Sequence, residues 1–459
     1  MAAEPATVGQ ARRAAGQPMG ALSGSAAPQA GDHAARFTRQ AGLRYGALGL
    51  PLSFVALPLY VLLPPHYAAV HGAPLAALGG VLLATRLSDA VLDPWLGRLS
   101  DRLLDRGAHS AWKAAAAGCG AIAVGFALLF TPPSLSGAGL LAWLAAGLLW
   151  TTVAYSLVTI LHHAWGARLG GDAAQRARVV GWREGAALIG VLIASVLPAL
   201  AGLALTSATL AVLLAAGVAL LATAQPPLAR DRVPPPAQHA VAAPPAHWLP
   251  WRQPAFRSLL AVFMLNGIAS AVPATLVLFV VRDRLQSAAW EPAFLGGYFL
   301  AAALSVPAWL RVVPRLGLIG GWAAGMVLAL AGFAGVSMLG AGHALPFLAV
   351  CLVTGVALGA DLTFPSALLA GVVRRAGHGG LAEGAYFGWW QAAAKLNLAL
   401  AAGLALPLLA AAGYTPGARD AQAQAALMAA YAGLPLLLKA AALALLLRHR
   451  QRQRHGEDR

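Results

Sequence analysis

The chain has 459 residues, 59% of them hydrophobic and only 10% charged, and a formal net charge of +16. Soluble domains usually carry about 25% charged residues, so the composition excludes a soluble enzyme and describes a polytopic membrane protein. The length holds roughly twelve spans of about 20 residues. No basic, aromatic-interleaved soluble domain exists to use the positive charge on a nucleic acid. The two cysteines, Cys119 and Cys351, fall in apolar segments and offer neither a disulfide framework nor metal-ligand spacing.

Residues 1–41 are rich in Ala, Gly and polar residues, with no apolar core after the first arginines, and read as a disordered cytoplasmic tail. Apolar segments follow near 42–64, 74–97, 112–131, 137–164, 179–204 and 206–224. A second set lies near 256–281, 293–313, 317–341, 344–372, 384–411 and 425–447. Between them, 225–254 holds nine prolines and reads as a semi-extended linker. This gives an N-terminal six-helix half (42–224), a C-terminal six-helix half (255–447) and a basic cytoplasmic tail (448–459). The expected fold is an all-α membrane protein of twelve transmembrane helices.

Charge sets the expected orientation. Of the 32 Lys and Arg residues, 26 fall on the side of the termini and the linker, and three (Arg282, Arg284, Arg419) on the other. The positive-inside rule then places both termini in the cytoplasm. Arg86, Lys395 and Lys439 remain inside apolar segments. Lys439, near the end of the last one, reads as a snorkelling side chain.

The chemistry concentrates in RLSDAVLDPWLGRLSDR, Arg86 to Arg102. Asp89 and Asp93 are four residues apart, so on a helix they share a face, with Arg86 close enough to join them. Each acid inside the bilayer costs about 2.5–3.5 kcal/mol on insertion scales. Two readings account for that cost. Arg86 neutralises Asp89 to hold two helices together, or the acids form a cation or proton site. Lys395, midway along its segment, needs a counter-charge, and the acids of the other half are the strong candidates within the spans. Tyr155, Thr159 and His162 step by four and three and share one helix face with Ser156 and His163 nearby. That face either lines a cavity or packs with its hydroxyls satisfied internally. Tyr386, Trp390 and Gln391 either form a sugar-stacking surface or anchor the chain at an interface.

The Arg86–Asp89–Asp93–Pro94–Gly97 pattern, followed by Asp101 and Arg102, resembles the helix-2 signature of the glycoside–pentoside–hexuronide:cation symporters, the melibiose-permease-like family of the major facilitator superfamily. Leu381 to Gly417 resembles the family's helix 11, with Glu383, Lys395, Gly413 and Tyr414 matching. Asp361 resembles the first acid of a short motif whose second acid is replaced by Phe364. By that resemblance Asp89 and Asp93 bind the coupling cation, Na+ or H+, and Lys395 is their neighbour from the C-terminal half. Gly97, Asp101 and Arg102 would form a cytoplasmic charge lock. The family's sugar-binding acids are missing, since their positions fall near Pro51 and at Val158 or Thr159. Arg183 matches a family arginine, with Glu184 beside it as a possible partner.

The expectation is a monomeric secondary transporter, not an enzyme and without a cofactor, in the inner membrane of a bacterium. It would move a small polar solute, a sugar or glycoside, with Na+ or H+ by alternating access. Arg183, Tyr155, Thr159, His162, Tyr386, Trp390 and Gln391 are the candidate solute contacts. The alternative is the same scaffold carrying an organic anion, a drug or an amphipathic lipid. A membrane enzyme should show a His/Asp/Ser cluster at one interface, and a sensor a sizeable soluble domain; the sequence shows neither.

Overall fold

A computed structural model describes residues 37–227, 246–414 and 417–457, and all regular structure among them is helical. The first apolar segment is α1 (Arg39–Gly46), α2 (Gly49–Leu57), a π-helical turn at Pro58–Leu62 and α3 (Leu63–His71). The Thr38 hydroxyl caps α1 by accepting the Ala41 N–H at 3.2 Å. The π turn begins at Pro58, and prolines lack the N–H that the regular ladder needs. Then come α4 (Leu75–Asp105), α5 (Ala108–Phe130), α6 (Gly137–Ala167) and α7 (Ala173–Ala222). The remaining helices are α8 (Pro254–Phe279), α9 (Glu291–Ala334), α10 (Ala344–Arg375), α11 (Glu383–Ala411), α12 (Ala421–Met428) and α13 (Leu434–Glu457).

Two of these helices are broken without a loop. Gly202 in α7 has φ 73° and Gly317 in α9 has φ 69°, a left-handed backbone that a glycine adopts without strain. Each break falls three or four residues after a proline, Pro198 and Pro314. Among the described residues, eight helical stretches are long and apolar enough to cross a membrane. The α4 helix has 31 residues, but its interior carries Arg86, Asp89 and Asp93. Large apolar side chains such as Val91, Leu200, Leu304 and Leu437 stand exposed on the outside of the helices, as lipid-facing residues do.

Helix packing brings the chemistry together. A Cβ at Gly97 of α4 would lie 2.2 Å from the Gly384 carbonyl oxygen of α11. One at Gly388 would lie 2.6 Å from the Asp93 carbonyl oxygen. The two backbones are therefore in direct contact, which small residues allow and any side chain forbids. That contact sets α4 and α11 side by side along the stretch holding Asp93 and Lys395.

Three expected boundaries move. Phe37 is buried and α1 starts at Arg39, so the tail reading for 1–41 fails over its last residues, and 1–36 lie outside the described residues. Ala246–Arg252 forms a 3-10 turn whose Trp248 and Trp251 rings sit 5.3 and 5.1 Å from Trp389. The linker expectation for 225–254 thus stops short of its end, because these rings find an aromatic partner on α11; 228–245 lie outside the described residues. Helix α13 runs on to Glu457, with buried His449 3.0 Å from the Ser258 hydroxyl, so the last helix overruns the expected tail boundary at 448.

Candidate functional site

Asp89 and Asp93 lie one turn apart on α4, both buried. The Lys395 ammonium on α11 donates to Asp93 Oδ1 at 2.9 Å and to Ser156 Oγ on α6 at 2.7 Å. It also stands 3.7 Å from Asp89 Oδ2. Three helices distant in sequence converge on one cation. Asp89 Oδ1 and Asp93 Oδ2 are buried and accept no hydrogen bond among the described residues. Asp89, Asp93 and Lys395 together carry one more negative charge than positive. Half-buried Arg86 lies within electrostatic reach of Asp89, a weaker influence there than Lys395 or Thr152. Two unfilled carboxylate oxygens beside a displaceable ammonium have the chemistry to take a proton or a small cation. Sequence reasoning placed the acids and the lysine; it named Ser156 only as a neighbour on α6, not as a ligand of the ammonium.

The α6 face is used unevenly. Tyr155 is half-buried and within electrostatic reach of both Asp93 and Glu184. Thr159 and His162 are buried. The His162 Nε2 faces the Tyr45 carbonyl at 2.8 Å, while the Tyr45 hydroxyl donates to the His162 carbonyl at 3.0 Å. This reciprocal pair fastens α6 to α1 and makes His162 a packing residue. Arg183 is also buried, and its Nε and Nη2 donate to Glu184 Oε1 at 3.0 and 2.6 Å. Its charge is thus answered within the protein by the partner that the sequence placed beside it. Of span 1, Ser53 is half-buried, and the Tyr60 side chain lies outside those described.

The aromatic group on α11 packs rather than lining a surface for solute. Tyr386 is fully buried, with its hydroxyl 2.9 Å from His378 Nδ1 and its ring edge-on to Phe256. Trp390 stacks on Phe263 with ring centroids 3.9 Å apart. Gln391 is half-buried and makes no hydrogen bond among the described residues. Periodicity could not separate these roles, because stacking on a neighbouring helix and stacking on a sugar demand the same side chains.

At the end of the bundle that carries the termini, Asp101 accepts from the Gly384 and Ala385 N–H groups at 2.6 and 2.8 Å. Its cationic partner is buried Arg168 at the end of α6, 3.5 Å away, and not the adjacent Arg102, which is exposed and forms no ion pair. Arg168 also meets Asp105 at 3.1 Å and Glu383 at 3.0 Å. Arg374 of α10 donates to the Gly171 carbonyl. The expected lock at Gly97, Asp101 and Arg102 is thus built from Asp101, Arg168 and Glu383. The Arg98–Arg106 and Arg168–Arg178 clusters look equally loop-like in sequence, so nothing local singled out Arg168. Lys439 overturns another expectation. It does not snorkel but pairs with Asp361 Oδ2 at 2.9 Å, both side chains about one-tenth exposed. An acid a helix away outcompetes a longer reach to the headgroups.

Residues 44–450 match the family model described as MFS/sugar transport protein. The chain belongs to that family. It is a membrane transporter of the major facilitator type and not an enzyme. Over 134 residues it is 31% identical to the inner membrane symporter YicJ of Escherichia coli (strain K12), a match that spans 28% of each chain. Solved structures share its fold. A bacterial homologue of the iron transporter ferroportin in an outward-facing state superposes with TM-score 0.65 at 14% identity, over 90% of this chain and 99% of that one. FucP in the outward conformation gives 0.60 at 15%, and the human organic anion transporter MFSD10 gives 0.61 at 18%, each over 90% of this chain and 99% of its own.

Proposed function

We propose that this transporter is a cation-coupled symporter that moves a small polar solute, a sugar or glycoside, by alternating access. The observation that carries the reading is Lys395 seated between Asp89, Asp93 and Ser156. The ammonium holds the place of a cation while none is bound. A proton on Asp93, or Na+ between the two carboxylates, releases it and loosens α11 from α4 and α6. Cation occupancy and the packing of the two stretches are thereby one equilibrium. The chain would have twelve spans in two six-helix halves, with solute near the midplane between them. Half-buried Tyr155, within electrostatic reach of Asp93 and Glu184, is the α6 side chain that would meet it.

On the charge bias the termini would face the cytoplasm, with the chain in the inner membrane of a bacterium. The Asp101–Arg168–Glu383 cluster then closes the cytoplasmic side, and the solute path opens outward. YicJ, a symporter, supports the coupling over the part of the chain it matches.

The test is uptake into proteoliposomes from a panel of sugars and glycosides under an imposed sodium or proton gradient. Accumulation of one compound under one gradient establishes solute class and ion together. Transport of organic anions alone, or uptake indifferent to both gradients, overturns the reading.

A further inference from the structure

A cavity of about 240 Å³ is lined, among the described residues, by α8, α9, α10, α13 and the π turn Ala429–Gly433 before α13. None of the described residues of 37–227 lines it, nor does any residue of the Lys395 cluster. Its size falls a little below the roughly 300–1,000 Å³ of ordinary ligand pockets. The walls are mostly apolar, with Val277, Phe294, Phe299, Leu330 and Phe333 among them, and the Asp361–Lys439 pair lies in the lining.

Asp361 has both oxygens engaged: Oδ1 accepts from the Trp322 indole at 2.8 Å and Oδ2 from Lys439 at 2.9 Å. An ammonium has three donors, and Lys439 uses one of them within the protein. The hydroxyls of Ser270, Tyr298 and Tyr431, also in the lining, form no hydrogen bond among the described residues. Each Asp361 oxygen keeps a further lone pair, and the ammonium and three hydroxyls have donors to spare. An apolar chamber with four unfilled donor groups, one of them cationic, is able to hold an apolar molecule bearing a carboxylate. Charge-assisted hydrogen bonds of this kind are about twice as strong as neutral ones.

The geometry points to a second, independent binding site in this cavity for a compact amphipathic carboxylate. Its head would be held by Lys439 and the tyrosine hydroxyls, its chain by the phenylalanine walls. The site is distinct from the solute path and does not rest on the symport reading.

The experiment uses the full chain in lipid nanodiscs and three chain-matched probes: octanoate, octan-1-ol and octylammonium. Empty nanodiscs correct for partitioning. Octanoate is expected to bind saturably and at least ten-fold more tightly than octan-1-ol, with octylammonium weakest. Lys439→Gln should weaken octanoate at least ten-fold. Ala274→Phe, which fills the chamber from α8 and leaves the ion pair in place, should abolish binding, so the conclusion survives if Lys439→Gln fails to fold. Asp93→Asn should leave octanoate binding unchanged. Octanoate binding that is absent, matched by octylammonium, or retained in Ala274→Phe overturns the proposal. Loss of binding in Asp93→Asn overturns the claim of independence.

Discussion

Asp93 is fully buried with one oxygen on Lys395 and the other unfilled, an arrangement that stability alone does not favour. Replacing a buried ion pair by apolar groups is often neutral, whereas removing one partner costs about 3–5 kcal/mol. Lys395→Ala should accordingly lower the melting temperature more than the double variant Lys395→Ala/Asp93→Asn, because the second change relieves the stranded carboxylate. Thermal unfolding of the single and double variants in one detergent reads this directly; equal losses would mean the acids find another counter-charge. Asp93→Asn alone keeps side-chain volume but cannot hold a proton or a cation charge. It should insert normally and abolish gradient-driven accumulation in liposomes, and wild-type accumulation would refute the coupling role. At this scale the sequence was informative about charge and about the Lys395–acid and Arg183–Glu184 pairings, and silent about other partners. The i, i+4 spacing put Asp89 and Asp93 on one face, but Arg168 for Asp101 and Asp361 for Lys439 are pairings across the bundle. No local pattern encodes them.

Among elements, the α4–α11 contact is the one on which the site depends. The Gly97 Cα faces the Gly384 carbonyl so closely that a methyl group would stand 2.2 Å from the oxygen. Since that neighbour is backbone and cannot rotate away, Gly97→Ala must push the helices apart. Overpacking of this kind costs roughly 1–3 kcal/mol. A lower melting temperature is expected, together with weakened bonds from Asp101 to the Gly384 and Ala385 amides. Faster hydrogen exchange at the start of α11 would report the second effect, and unchanged exchange would show that the contact is dispensable. The helices themselves were legible as apolar runs of helical length. Their joints were less so: α7 and α9 turn at Gly202 and Gly317 without a loop, and a glycine in an apolar run does not announce its φ.

Across the whole molecule, the contacts that tie 37–227 to 246–457 at the end carrying the termini include the Arg168–Glu383 ion pair, the Asp101 amide bonds and the Arg374 bond to Gly171. Arg168→Gln deletes the cation shared by Asp101, Asp105 and Glu383. It should shift the population toward a form opened at that end. Spin labels at Arg106→Cys and Gly379→Cys would show a longer-distance component in the Arg168→Gln background, and the native Cys119 and Cys351 are buried and should stay unlabelled. An identical distance distribution would show that the backbone contacts hold that end closed without the charges.

The sequence by itself determined that this is a membrane-embedded helical bundle, because an apolar run long enough to cross a bilayer must satisfy its backbone internally. It also determined where uncompensated charge would lie, since Asp89, Asp93 and Lys395 interrupt such runs. Only the tertiary structure decided the remaining pairings across the bundle. It assigned Arg168 to Asp101 and Glu383, Lys439 to Asp361 and Trp390 to Phe263. Residues that read as solute contacts or snorkelling groups became packing and ion-pair partners. The reason is physical: in a low-dielectric interior a polar side chain takes the nearest complementary group, and nearness there is set by helix crossings that no single helix contains.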